Sequence, residues 1–314
     1  MPPSSPAGPQ EKIRRQVAAA NLLRLQSLET VLAEFQRAGM PVVLLKGAAL
    51  LLTAYDHPGD RPMTDVDLWL PFHPVSTAVK MLGRLGYGAV PGRPGAFVHP
   101  GDDNDRLDVE HDIWFLNAGD TEMYDRGVET TMGRLSVRTL CPEDAFLYAV
   151  AHGLIHHGQW QNKWGEDLRR LTALPKFDWD AVLDRGERWG LTEALLETFT
   201  LVPGLAERTT EQRCAELLAR RSSCWKLFLL RRLAATPISG KGHFLRLLMQ
   251  PRRGRRCSLL FKQLFPSPAF LKQRHPRLPL PAAYALRPFF LFGRFLEFSC
   301  RFSAGPRSSG VWRF

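Results

Sequence analysis

Five cysteines in 314 residues, at positions 141, 214, 224, 257 and 300, never stand at the C-x-x-C spacing of a zinc or redox site. An odd, scattered set with no secretory signal before it predicts free thiols in a reducing cytoplasm. The opening MPPSSPAGPQ lacks the apolar core of a signal peptide and reads as a disordered Pro/Ser-rich arm over residues 1–10. No run supplies the roughly 20 uncharged apolar residues that a bilayer span needs. The stretch from Phe289 to Phe298 falls short because Arg287, Arg294 and Glu297 flank or interrupt it. No segment repeats at a fixed period, which excludes a solenoid. Acids are scarce at one end only: residues 241–314 hold fifteen Lys or Arg and a single acid, Glu297, while the first 240 residues come to about minus three. The net charge of +11 therefore belongs to the tail.

What remains is the composition of a globular protein, 45% hydrophobic and 23% charged, long enough for one large domain or two ordinary ones. Residues 11–39 place Val17, Leu22, Leu23, Leu25, Leu28, Val31, Leu32 and Phe35 at helical spacing, and Gly39 ends the run. A strand from Pro41 to Leu45 follows, then a turn at Gly47 into an Ala/Leu helix reaching Tyr55. Asp56 to Pro62 is a loop, with Arg61 near its end. A helix over His73–Leu85, an edge strand over Tyr87–Val90 and strands over Ala96–His99 and Leu107–Phe115 complete the first part. From Pro142 the pattern turns helical: Pro142–His157, Gln159–Leu174, Asp178–Trp189, Thr192–Leu201 and segments to Ala235. PRRGRR at 251–256 and the Pro-rich LFPSPAFLKQRHPRLPLP exclude a regular helix core, and Ala282–Phe302 reads as a last helix. The expected division is an arm (1–10), an α/β core (11–140), an α-helical domain (141–240) and a basic, Pro-rich and helical C-terminal region (241–314).

Within this frame, Thr64-Asp65-Val66-Asp67-Leu68-Trp69-Leu70 sets two carboxylates at strand period in an apolar run, so both face one way. Like charges side by side repel and lose hydration, and a divalent cation between them neutralises both. Asp65 and Asp67 are thus candidate hard-cation ligands. Asp108 and Glu110 alternate in the same manner on the later strand. If that strand lies beside the first, a third carboxylate reaches the cation; Asp108, flanked by Leu107 and Val109, is the first candidate and Glu110 the alternative.

The order of these motifs, LLKGAAL, RPMTDVDLWL, Gly86-Tyr87, DVEHDIW and a helix with AHG, resembles a nucleotidyltransferase family of the DNA polymerase β-like superfamily, over roughly residues 20–175. The resemblance implies an α+β fold: a small mixed β-sheet with flanking helices, then the α-helical C-terminal region. It also implies Mg²⁺-dependent transfer of a nucleoside monophosphate from an NTP onto an acceptor, with Asp65, Asp67 and Asp108 or Glu110 as metal ligands and catalytic carboxylates. Gly47, at a helix start, would offer backbone N–H groups to phosphates. Lys46 would add a point charge or pair with an acid, and Arg61 a forked donor. This chain has Ala48 where the superfamily carries Ser or Gly, and E-H where the family carries an acid two residues before its His.

His111, His152, His156 and His157 invite a metal reading, since His152 and His156 share a helix face. No Glu stands between them in a zincin pattern, so the expectation is a hydrogen-bonding histidine, with Asp167 as partner, and no zinc. The basic tail reads as a packed helical segment with solvated Arg, an RNA-binding surface or an interfacial membrane anchor with an acidic partner. A rival to the enzyme is a catalytically degenerate member of the fold that binds nucleotide, protein or RNA.

Overall fold

A computed structural model describes residues 8–303 except 92, 94, 237–239 and 276. The arm expected over residues 1–10 falls largely outside the described residues; Pro9 and Gln10 already begin the first helix. The chain forms two units, one from residues 1–114, 118–146 and 166–178, the other from 115–117, 147–165 and 179–314.

In the first unit α1 (Pro9–Arg37) precedes β1 (Val43–Leu45), α2 (Lys46–Thr53), β2 (Val66–Trp69), α3 (Val75–Arg84), β3 (Gly88–Ala89), β4 (Ala96–His99), β5 (Asp102–Glu110), α4 (Asp120–Asp125), β6 (Val128–Met132) and β7 (Leu135–Thr139). The seven strands form one mixed sheet in the order β3-β4-β5-β2-β1-β7-β6. Together with the helices this is the α+β class the sequence predicts. β2 runs antiparallel to β1 and parallel to β5, so the two acidic strands are neighbours. Alternation sorts the faces: Val66, Leu68, Leu70, Leu107 and Val109 enter a core with Leu28, Leu32 and Phe35 of α1 and Leu82 of α3. The acids alternate with these residues and occupy the opposite face.

The structure departs from two expectations. The N-terminal half of α1 buries Asn21 and Arg24, while Leu22 and Leu23 are exposed. Asn21 donates to the carbonyls of Pro58 (2.6 Å) and Arg61 (2.9 Å), so a polar side chain, not the leucines, anchors the loop before β2. The strand expected to reach Phe115 stops at Glu110, where the His111 ring meets the Leu70 carbonyl at 3.0 Å and ends the ladder with a side chain. A β6–β7 hairpin, turning at Gly133 with φ +58°, adds two strands for which the sequence carries no signal.

Past the sheet, α5 (Pro142–Ala151) does not continue to His157; the last turn, His152–His157, is a π-helix closed by Gly158 at φ +59°. α6 (Asn162–Thr172) follows, then, in the second unit, α7 (Trp179–Arg188), α8 (Thr192–Leu201), α9 (Arg208–Arg221), α10 (Cys224–Ala234), α11 (Lys241–Met249), α12 (Arg253–Leu264), α13 (Pro268–Arg274) and α14 (Leu280–Ser303). The prolines near 266–281 do not exclude helix: Pro268 opens α13, where its missing N–H is not needed, and Ser267 caps the Phe270 amide. The second unit is stitched inside by Asn117, which donates to the Trp189 carbonyl and accepts from Gln250. No helix of the described residues is long and apolar enough to cross a membrane.

Candidate functional site

β1 ends in an abrupt turn. Lys46 adopts φ +47°, a left-handed conformation that costs a side-chain-bearing residue energy. The turn sends the Lys46 ammonium back over the sheet, where Nζ meets Asp67 Oδ1 at 2.5 Å. Of the two readings of this lysine, pairing with an acid is the one seen in the structure.

β2 and β5 supply the acids. In the parallel register Asp67 lies beside Asp108 and Trp69 beside Glu110, with neighbouring strands about 4.8 Å apart. Asp65 sits just before the strand, half-buried, with Thr64 Oγ1 donating to it. Asp67 is 3% exposed. Burial pushes its carboxyl up to about 6, against the pull of Lys46 and with the help of Asp65 and Asp108. Burial likewise raises Glu110 to about 7, again against Lys46 and with Asp67 and Asp108 repelling it, and raises Asp108, which also faces Asp65. Burial works to lower Lys46, but Asp67, Glu110 and Asp65 together hold it above its ordinary value. One ammonium thus stands among four carboxyls. Glu110 Oε2 is buried with no hydrogen-bond partner among the described residues. An orphan carboxylate oxygen among acids that raise one another fits a hard cation, whose ligands are carboxylate oxygens.

Gly47 begins the phosphate-binding turn of the sequence reading. The side chain of its cap residue, Leu45, leaves the first-turn N–H groups of α2 uncapped. A Cβ at Gly47 would lie 2.6 Å from Met63 Cγ and 2.7 Å from Arg61 Nη1. Glycine is needed there for close approach. If this turn meets the phosphates that the resemblance implies, Gly47→Ala, which must displace Met63 and Arg61, is expected to raise the KM for NTP by about tenfold or more, since small displacements of positioning groups are costly; steady-state kinetics over a range of NTP concentrations measures it. Ala48 is fully buried in the core cluster, backbone included, and offers no surface to a ligand.

Arg61 is not left as an open fork. Its Nη2 and Nε hold Asp167 at 2.9 and 3.1 Å, and Tyr55 donates to the same carboxylate at 2.8 Å. Asp167 therefore serves the loop carrying Arg61, and not the histidine that the sequence suggests as its partner. Burial and the Asp167 charge both push the Tyr55 hydroxyl far above its usual value. With side chains 11% and 3% exposed, breaking the Arg61–Asp167 pair leaves an uncompensated buried charge. Asp167→Asn is expected to cost about 3–5 kcal/mol, read as a lowered urea midpoint. Tyr55 escaped the sequence reading because its partner lies 112 residues away.

The sequence profile of a family described as "Uncharacterised nucleotidyltransferase" matches residues 2–206. No curated protein and no solved structure matches significantly. The matched region holds every strand of the sheet and every acid of the cluster, and the chain belongs to this nucleotidyltransferase family.

Proposed function

We propose that the chain transfers a nucleoside monophosphate from an NTP to an acceptor, using divalent cations, Mg²⁺ first, held by Asp65, Asp67 and a carboxylate of β5. The observation that carries this reading is the register of β2 and β5, which aligns Asp67 with Asp108 beside the orphan oxygen of Glu110. Bound there, the cations would neutralise charge at the α-phosphorus and bring attacking and leaving oxygens together.

The chain's own groups do the rest. Asp65 and Asp67 anchor the site, and Asp108 or Glu110 completes it. Either β5 acid, raised by burial, is suited to take the proton of the acceptor hydroxyl. The backbone N–H at the Gly47 turn is the group that would meet the phosphates. Lys46 keeps the acid cluster from repelling itself apart and lies at the turn that phosphates would approach. Arg61, held by Asp167, stiffens the wall against Gly47 and places Nη1 beside it.

The test uses one NTP labelled at the α or the γ phosphate, incubated with the protein, Mg²⁺ and a cell extract. The α label is expected to move onto an acceptor and the γ label to leave as pyrophosphate. Transfer of γ label alone would make the chain a kinase. Mg²⁺-dependent binding of NTP with no transfer of either label would favour the degenerate member, a reading that Ala48 keeps in view.

A further inference from the structure

The three histidines after α5 belong to the helical unit and play no part in the reaction above. In a regular α-helix His152 and His156 share a face, and His157, five residues on, points elsewhere. Here residues 152–157 form a π-turn, whose i→i+5 bonding widens the helix until residues five apart also stack. The local geometry thus collects all three rings on one side. His157 Nε2 and His152 Nε2 share a hydrogen bond of 3.0 Å, which a metal would replace, and one ring nitrogen from each of the three residues falls within 4.8 Å of the others.

The rings are held by packing. Phe115 meets His152 and His156 edge-on at 5.6 and 4.9 Å, Tyr148 stacks on His152 at 6.0 Å, and Trp164 stacks on His157 at 5.4 Å. The turn is held as firmly: a Cβ at Gly242 of α11 would come within 2.4 Å of the His156 carbonyl oxygen, and the Lys241 stem lies against Gly158. π-turns are rare and concentrate at functional sites. Four-coordinate zinc with Zn–N bonds of about 2.0–2.1 Å sets its nitrogens about 3.4 Å apart, so the His152–His157 pair sits near that spacing, and the His156 nitrogen, within 4.8 Å, would have to draw closer on binding.

We propose that His152, His156 and His157 form a metal site of their own, for a borderline divalent cation such as Zn²⁺, with a fourth coordination position open. Three imidazoles without a carboxylate among them suit nitrogen-preferring metals and not Mg²⁺. The sequence offers no zincin pattern here and so predicts no zinc; the π-turn adds His157 to the His152–His156 face.

The test uses the full chain without a polyhistidine tag. Elemental analysis after dialysis is expected to find about one equivalent of Zn²⁺ per chain. Exchange with Co²⁺ is expected to give the visible bands of a four-coordinate, nitrogen-ligated ion. His157→Gln, at a position less buried than His152, is expected to weaken Zn²⁺ binding by about tenfold or more with unchanged circular dichroism. Asp65→Asn is expected to leave Zn²⁺ binding unchanged, which separates this site from the acid cluster. Less than roughly a tenth of an equivalent with no Co²⁺ bands in the wild-type chain would overturn the proposal, as would unchanged affinity in His157→Gln. If that variant fails to fold, the Co²⁺ spectrum of the wild-type chain decides alone.

Discussion

Asp65→Asn is expected to lower the rate of nucleotidyl transfer by about a thousandfold while the far-UV circular dichroism and melting temperature stay near those of the wild-type chain. The size follows from the several kcal/mol that a metal supplies to the transition state, at about 1.4 kcal/mol per tenfold. Asp65 is the cleaner of the two aspartates to change: it is half-buried and precedes the strand, whereas Asp67 is buried and bonded to Lys46. Asp67→Asn is expected to lose transfer equally but to alter stability as well, because it removes the partner nearest the Lys46 ammonium. Asp65→Asn turnover within tenfold of wild type, with the same NTP and acceptor, would show that no essential cation rests on that carboxylate.

The second large effect is on stability, and its sign is set by the acids. Asp67 and Glu110 titrate near 6 and 7 in the folded chain, above the usual carboxylate range near 4. The folded state therefore binds more protons than the unfolded state between about pH 4 and pH 7. Stability present at the acid end of that window is lost as pH rises through the folded pKa values, provided no cation replaces the protons. A bound divalent cation reverses this, so Mg²⁺ is expected to stabilise the chain most near pH 8 and hardly at all near pH 5. At a hundredfold excess over Kd the gain is about 2.7 kcal/mol, a shift of a few degrees. Thermal melts with and without Mg²⁺ at the two pH values measure it; an equal Mg²⁺ effect at both would sever the link between these carboxyls and the cation.

Much of this site is legible in the sequence because its parts are local. The alternation Asp65, Val66, Asp67, Leu68 states which residues face the core, and the same alternation in β5 states that Asp108 and Glu110 share a face. Gly47 after an apolar strand marks the turn. What hides is long-range or depends on backbone geometry. Nothing near Arg61 tells that Asp167 occupies its fork, or that buried Asn21 holds its loop. The left-handed Lys46 has no propensity to announce it. The π-turn is equally silent, since AHGLIHHG reads as the end of an ordinary apolar helix, and only its hydrogen-bond spacing carries His157 onto the face of His152. The hairpin of β6 and β7 does not show in the sequence because VETTM and LSVRT are too polar to stand out from a loop.

The tail is a further case. The segments α12 to α14 are helical and basic, with Phe261, Phe265, Phe289 and Phe292 exposed. That pattern accounts for where the positive charge lies without assigning it a partner.

The most direct measurement is anomalous scattering from crystals soaked with Mn²⁺ and a non-hydrolysable NTP. The account predicts density between the carboxylates of Asp65 and Asp67, with Asp108 or Glu110 as the third ligand and the triphosphate against Gly47. Carboxylates turned to solvent with no ion between them beside bound nucleotide would contradict it.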